Sequence, residues 1–231
     1  VDFGKQETAG GRRPNVYGLN QDSGYFVGVD INHADMNIGM INFNGVLVAS
    51  KMNVPYKVDH SVEKFEELCA LIEDFLIYSN VPREKIISMG INISGRVNTR
   101  SGHSYSYFYF DERPLTEIFS ERFDMNVSID NDSRAMTYGE FLNGCVRGGE
   151  NVIFMNATWG LGMGLIINGE LYYGKSGFSG EIGHYPTFEN ETLCHCGKKG
   201  CLETEASGMY IHRLFMERLK SGSTSVLSKK Y

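Results

Sequence analysis

Apolar and polar positions follow two rhythms along this chain, and each change of rhythm marks an element. Tyr25–Ile31 is almost continuously apolar, residues 37–43 follow in the same manner, and Asn44-Gly45 leads into residues 46–52. Asn-Gly between two β-rich runs is the strongest short-range hairpin signal. Over residues 61–79 the period lengthens. Val62, Phe65, Leu68, Ile72, Phe75 and Leu76 recur every three or four positions with acidic and basic residues between them, which predicts an amphipathic helix. Pro82 ends it, and residues 86–93 return to strand before Ser94-Gly95. The aromatic run over residues 105–110 reads as a strand with one packed face, or as a platform on which a sugar could stack.

The second half repeats this grammar. Residues 151–156 are a β-rich apolar run, residues 162–167 follow a Gly-rich bend, and Asn168-Gly169 turns into residues 170–173. Between the two hairpins lie a helix begun by Pro114, a short strand over residues 126–129 and a helix over residues 133–143. Strand units alternating with helices predict an α/β fold, and the repeated order predicts two related lobes, residues 21–145 and 146–231. Residues 1–20 carry Gly4, Gly10, Gly11, Pro14 and Gly18 with little apolar periodicity. They read as a linker after a further domain.

Composition narrows the function classes. With 22 basic and 28 acidic side chains among 231 residues, a net charge of −6 and 42% apolar residues, the chain has the make-up of a folded globular protein and not of a disordered one. No apolar run reaches the roughly 18 residues that span a bilayer, and nothing at the start resembles a signal peptide. Neither a membrane partner nor secretion is expected. No basic cluster is longer than Arg12-Arg13 or Lys198-Lys199, so these residues offer no phosphate-tracking surface for nucleic acid.

The cysteines carry the strongest chemical signal. Five is an odd number, and Cys194, Cys196 and Cys201 crowd into one eight-residue window, which reads as metal chemistry in a reducing, cytoplasmic compartment. Three thiolates and the imidazole of His184 complete a tetrahedral set for a structural zinc ion. His195 is also at hand, but it lies between two ligand cysteines, where it would tend to point away from the metal. Cys69 and Cys145 stand among helix-like residues and read as small buried apolar side chains.

Two further patterns are polar. Gly180-Glu181-Ile182-Gly183-His184 places a carboxylate and an imidazole three residues apart, close enough to meet one small polar ligand. Ile129-Asp130-Asn131-Asp132 sits where a strand ends and a helix begins. There a carboxylate can bind a hydroxyl or take its proton, and there Asp and Asn also serve as N-caps.

Taken in order, Asp130-Asn131-Asp132 followed by Gly139-Glu140, then Gly180-Glu181-Ile182-Gly183-His184, then the cysteine cluster continuing as Gly200-Cys201-Leu202-Glu203, resemble the ROK family over residues 11–208. That family is named for repressors, open reading frames and kinases. The resemblance implies a two-lobed actin-like or ribonuclease H-like fold with sugar bound between the lobes. It implies that Asn131, Asp132, Glu181, His184 and Glu203 contact sugar hydroxyls, with His184 also a zinc ligand. Asp132 stands where the family's kinases hold the base that deprotonates the attacking hydroxyl.

Departures from the family pattern separate its two activities. Kinases of this family carry a Gly-rich turn after the first-strand Asp, whereas this chain reads Asp30-Ile31-Asn32-His33-Ala34-Asp35, with Asp35 in place of Lys. The second phosphate loop, Gly-Thr-Gly in the kinases, reads Ala157-Thr158-Trp159-Gly160-Leu161-Gly162. A bulky indole and an added negative charge both oppose a nucleotide polyphosphate, so ATP is not expected as a cofactor and no catalytic role is expected for Asp132. On the sugar side Asn98 and Gly95 are kept, but Ser94 replaces the usual Pro.

Gly11-Arg12-Arg13-Pro14 looks like the segment that joins a winged helix-turn-helix to the sugar domain in the family's repressors. The DNA-reading domain is expected to precede this stretch. The second lobe, ending about 30 residues after the cysteine cluster, is expected to be truncated relative to the family. The resemblance therefore implies the sugar-sensing effector domain of a transcriptional regulator. Its ligand would be a monosaccharide or sugar phosphate, operator DNA would be reached through the absent domain, and the whole protein would be a homo-oligomer. The alternatives are an ATP-dependent sugar kinase with an atypical nucleotide site and a zinc-stapled interaction module without a ligand.

Overall fold

The first elements form a two-stranded antiparallel ladder, β1 (Asp2–Lys5) against β2 (Asn15–Tyr17). The computed structural model describes residues 1–6, 13–226 and 228. Gly11 and Arg12 of the expected linker motif lie outside the described residues, while Arg13 and Pro14 are exposed. Part of the stretch read as linker is thus a ladder. It lacks an apolar period because the β2 side chains are all exposed, and main-chain hydrogen bonds such as Gln6 N–H to Pro14 O at 3.0 Å hold it.

The chain divides into two compact units, Val1–Asp130 and Asn131–Tyr231. In the first, β3 (Tyr25–Ile31), β4 (Asp35–Asn42) and β5 (Leu47–Pro55) form an antiparallel meander with Gly45 at positive φ in the first expected hairpin. Helix α1 (Val62–Tyr78) then leads to β6 (Ile86–Ile93), which lies parallel to β3. A small ladder, β7 (Val97–Asn98) with β8 (His103–Ser104), precedes α2 (Leu115–Phe123) and β9 (Asn126–Asn131). The sheet order is β5-β4-β3-β6-β9.

Burial follows the sequence period. Val27, Val29 and Ile31 of β3, Met36, Ile38 and Met40 of β4, and Ile91 and Ile93 of β6 join one core with Phe65, Leu68, Ile72 and Phe75 of α1 and Phe119 and Phe123 of α2. Ser61 caps α1 by accepting the Lys64 N–H at 3.2 Å. Two expectations fail here. Residues 105–110 are not a strand: Tyr107 N–H donates to Ser104 Oγ, and Phe108, at φ 55°, turns its ring into the core 5.6 Å from that of Phe65. Cys69 is buried as expected, but Cys145 is exposed, because α3 ends before it.

The second unit holds α3 (Asp132–Asn143) and a three-stranded antiparallel sheet of β10 (Val152–Ala157), β11 (Leu161–Ile167) and β12 (Glu170–Leu171). Asn168 and Gly169 both take positive φ, the conformation of a tight hairpin turn. The boundary expected after residue 145 falls after residue 130 instead. Helix α3 packs on β10 and β11, and Asn156 Nδ2 of β10 donates to Ser133 Oγ of α3 at 3.0 Å. After a long irregular stretch come α4 (Glu203–Ala206) and α5 (Gly208–Lys220). Among the described residues no helix is long and apolar enough to cross a membrane.

Candidate functional site

The irregular stretch between β12 and α4 is organised around four side chains. His184, Cys194, Cys196 and Cys201 bring their ligand atoms within 4.8 Å of one another. Metal–ligand bonds of about 2.3 Å to sulfur and 2.0–2.1 Å to nitrogen, arranged tetrahedrally, place two sulfurs about 3.8 Å apart and a sulfur and nitrogen about 3.6 Å apart. Cys196 Sγ and Cys201 Sγ are 3.7 Å apart, and Cys194 Sγ is 3.5 Å from His184 Nδ1. The donor set fits a tetrahedral zinc ion in type and in spacing.

The backbone explains how so short a sequence converges. Gly197, at φ 86°, donates its N–H to Cys194 O at 2.9 Å, and Cys194 N–H donates to Lys198 O at 2.8 Å. Lys198 Nζ donates to His184 O at 2.7 Å, tying the cysteine turn to the imidazole's own backbone. Burial pushes the Cys194 thiol up to about 12. Burial acts the same way at Cys196, but the Lys198 amide and the neighbouring thiols outweigh it and hold that thiol below its ordinary value. A divalent cation inverts this preference by taking the thiolates directly.

His195, the other candidate fourth ligand, turns to Glu203 instead. Its Nδ1 lies 3.2 Å from Glu203 Oε1 and 3.9 Å from Cys194 Sγ. The two groups stabilise each other's charge: Glu203 raises the imidazole above its ordinary value. At Glu203, burial pushes upward but is outweighed by His195 and the Leu161 amide, which hold the carboxyl low. Glu203 is a buried carboxylate whose second oxygen accepts the Leu161 N–H at 2.9 Å. It therefore links the cysteine turn to the bend between β10 and β11.

Glu181 opens the short 3₁₀ turn of Ile182–His184, with its Oε2 3.7 Å from His184 Nε2. The imidazole thus faces a thiol with one nitrogen and a carboxylate with the other. Gly180 and Gly183 each precede one member of this pair, and β11 runs directly against both. A Cβ on Gly180, which has φ 91°, would overlap Met163 O, and one on Gly183 would overlap Leu161 O. Gly180→Ala is expected to destabilise the protein by about 2–3 kcal/mol, through overpacking added to backbone strain. Urea denaturation checks this, and an unchanged midpoint would contradict the packing described.

Asn131 and Asp132 lie at the start of α3. Asn131 Oδ1 accepts the Arg134 N–H at 3.1 Å, and Asp132 Oδ1 accepts the Ser133 N–H at 2.7 Å. The capping role open to this junction therefore belongs to Asn131. Asn131 caps and Asp132 opens the helix that covers β11, the strand whose edge holds the Glu181 segment. A cavity of about 320 Å³ beside the cysteine turn is lined by Leu193, His195, Glu203, Tyr210 and Arg213 among others, but by none of Asn131, Asp132 and Glu181. Sequence reasoning missed Arg134. It is fully buried and donates from Nη1 to Gly177 O at 3.0 Å; a charged residue in a polar stretch gives no sign of burial.

The two bends that differ from the kinase pattern are tightly closed. In the first unit, Asn32 N–H donates to Asp35 O at 2.9 Å and Asn32 Nδ2 to Asp35 Oδ1 at 2.9 Å. In the second, Gly208 N–H donates to Thr158 O at 2.8 Å and Met209 N–H to Trp159 O at 3.0 Å. The first amides of α5, otherwise a natural place for an anion, are taken by the carbonyls of the Trp159 bend.

A model of the ROK family matches residues 27–230. The chain belongs to the ROK family. It is 30% identical over 225 residues to a putative xylose repressor of Caldicellulosiruptor sp., covering 96% of this chain and 56% of that protein. It is 30% identical over 207 residues to the xylose repressor of Bacillus subtilis, covering 89% of this chain and 54% of that protein. It therefore spans about half the length of these ROK relatives. A ROK glucokinase from Streptomyces griseus, solved with glucose and AMPPNP, superposes with a TM-score of 0.74 at 26% identity, covering 86% of this chain and 62% of that one. The fold is the mixed α/β, actin-like fold of ROK proteins.

Proposed function

We propose that this chain is the sugar-sensing part of a ROK transcriptional repressor, stapled by one zinc ion and without phosphotransfer activity. The observation that carries this reading is the Trp159 bend, which sets an indole in the stretch that resembles the kinases' second phosphate loop and whose carbonyl oxygens accept the first α5 amides. The xylose repressors that match most of the chain support the same choice. Asn131, Asp132, Glu181, His184 and Glu203 would contact the hydroxyls of a monosaccharide or sugar phosphate, since carboxylate and amide oxygens accept hydroxyl protons. His184, Cys194, Cys196 and Cys201 would hold the zinc, which supplies a cross-link and leaves no open position for catalysis. Operator DNA would be read by a domain outside these residues, in a cytoplasmic homo-oligomer.

The likeness to a glucokinase, with Asp132 at the kinase base position, favours a second reading as a ROK sugar kinase with an atypical nucleotide site. Thermal shift across monosaccharides and their phosphates tests the first reading, because a ligand that binds only the folded state raises the midpoint. A rise with at least one sugar is expected, and Glu181→Ala should abolish it. No rise across the whole panel would contradict sugar sensing by this chain.

A further inference from the structure

The segment that leads into Glu181 is built from glycines and held by a buried cation. Residues 173–180 read Tyr-Gly-Lys-Ser-Gly-Phe-Ser-Gly, and Gly174, Gly177 and Gly180 take φ of 71°, 81° and 91°. Such a composition leaves the backbone many alternatives, yet three ties select one. Ser179 N–H donates to Tyr173 O at 3.1 Å and draws the ends together, and Met163 N–H of β11 donates to Gly180 O at 3.1 Å. The third tie is Arg134, whose Nη1 donates to Gly177 O at 3.0 Å while its guanidinium carbon lies 5.5 Å from the Tyr173 ring centroid.

Arg134 also contacts the residues at the start of α3. Its backbone N–H donates to Asn131 Oδ1 at 3.1 Å. One residue is thus joined through its amide to Asn131, beside Asp132, and through its side chain to the segment that ends at Glu181. Burying a guanidinium carries a desolvation cost that an apolar residue of the same volume would avoid. Arginine offers what that residue cannot, a planar fork that donates to a carbonyl while stacking on an aromatic ring.

We infer that Arg134 is a positioning residue of the sugar site, fixing Glu181 relative to Asn131 and Asp132 so that all three meet one ligand. This rests on the sugar-sensing reading above. Pinning the loop before ligand arrives removes the ordering cost of binding, so the residue should act on affinity without touching the sugar.

The test uses the zinc-loaded chain and the variants Arg134→Met and Arg134→Lys, with Arg218→Met, at an exposed arginine of α5 away from the cavity, as control. Zinc content, tryptic cleavage after the exposed Lys175 within the loop, and the Kd for xylose and glucose are measured. Arg134→Met is expected to keep one zinc, to be cut faster after Lys175, and to bind the preferred probe roughly 10–100-fold more weakly, the loss that goes with one charge-assisted hydrogen bond. Arg134→Lys should recover part of both effects, and saturating probe should slow cleavage in the unmodified chain. A change in affinity at constant zinc content separates positioning from general stability. If Arg134→Met does not fold, Arg134→Lys alone must show weakened binding and faster cleavage. Unchanged affinity and cleavage in a zinc-holding variant would overturn the inference. If the unmodified chain binds neither probe, the affinity claim fails whatever the full sugar panel shows, while unchanged cleavage rates would separately refute the tether.

Discussion

Replacing Cys201 by Ser is expected to lower the zinc content from one per chain to near zero and to lower the unfolding midpoint by 10 °C or more, on the order of several kcal/mol of stability. Cys201 is fully buried and its sulfur lies 3.7 Å from that of Cys196, so a hydroxyl in its place loses a thiolate ligand where no water can substitute. The cysteine turn would then lose its cross-link to His184. The loss should spread to the β10–β11 bend, because Glu203, two residues on, holds Leu161 N–H. Cys145→Ser is the control, since Cys145 is exposed and outside the cluster. Elemental analysis of protein purified without chelator, paired with thermal melts, gives the answer. Zinc retained at full stoichiometry in Cys201→Ser, or absent from the unmodified chain, would contradict the four-ligand assignment.

A second large effect is an absence of turnover. Phosphoryl transfer depends on positioning and charge stabilisation around the transferring group, so the Asp132 carboxylate has nothing to act with if the phosphates are not held. In the first unit the bend after β3 is closed by Asn32 and Asp35, and Asp35 brings a negative charge where a polyanion would need donors. In the second, the Trp159 bend presents carbonyl oxygens to the α5 amides. A displacement of about 1 Å alone can cost roughly a hundredfold in rate. A coupled assay with Mg²⁺-ATP and a broad sugar panel, run on the full-length protein, should detect no sugar phosphate. Turnover above roughly 1 s⁻¹, lost in Asp132→Asn, would make the protein a kinase.

The parts that could be read from the sequence were those set by local physics. The three- and four-residue spacing from Val62 to Leu76 could be buried only as a helix, and Asn168-Gly169 supplied the positive φ that its hairpin needs. The grouping of His184 with the three cysteines was legible because thiol and imidazole at such spacing have few other uses, whereas the turn of His195 to Glu203 left no mark in the sequence. What sequence could not convey was tertiary partnership. The period of α3 shows that it is a helix but not which sheet it covers, so the boundary was placed about fifteen residues late. The aromatic run looked like a strand because the positive φ of Phe108 leaves no mark in composition. Arg134 gave no sign of burial because its partners, Gly177 and Tyr173, lie some forty residues further on.

The chain contains one tryptophan, and it sits in the bend between β10 and β11, with its ring centroid 5.9 Å from that of His212. Its fluorescence is expected to respond to a ligand held by Glu203, which accepts the Leu161 N–H of the same bend. Titration of the zinc-loaded protein with xylose, glucose and their phosphates should give a saturable change for at least one sugar, absent in Glu181→Ala, and no saturable change with Mg²⁺-ATP. A saturable response to Mg²⁺-ATP with none to any sugar would contradict the assignment of this chain as the sugar sensor of a repressor.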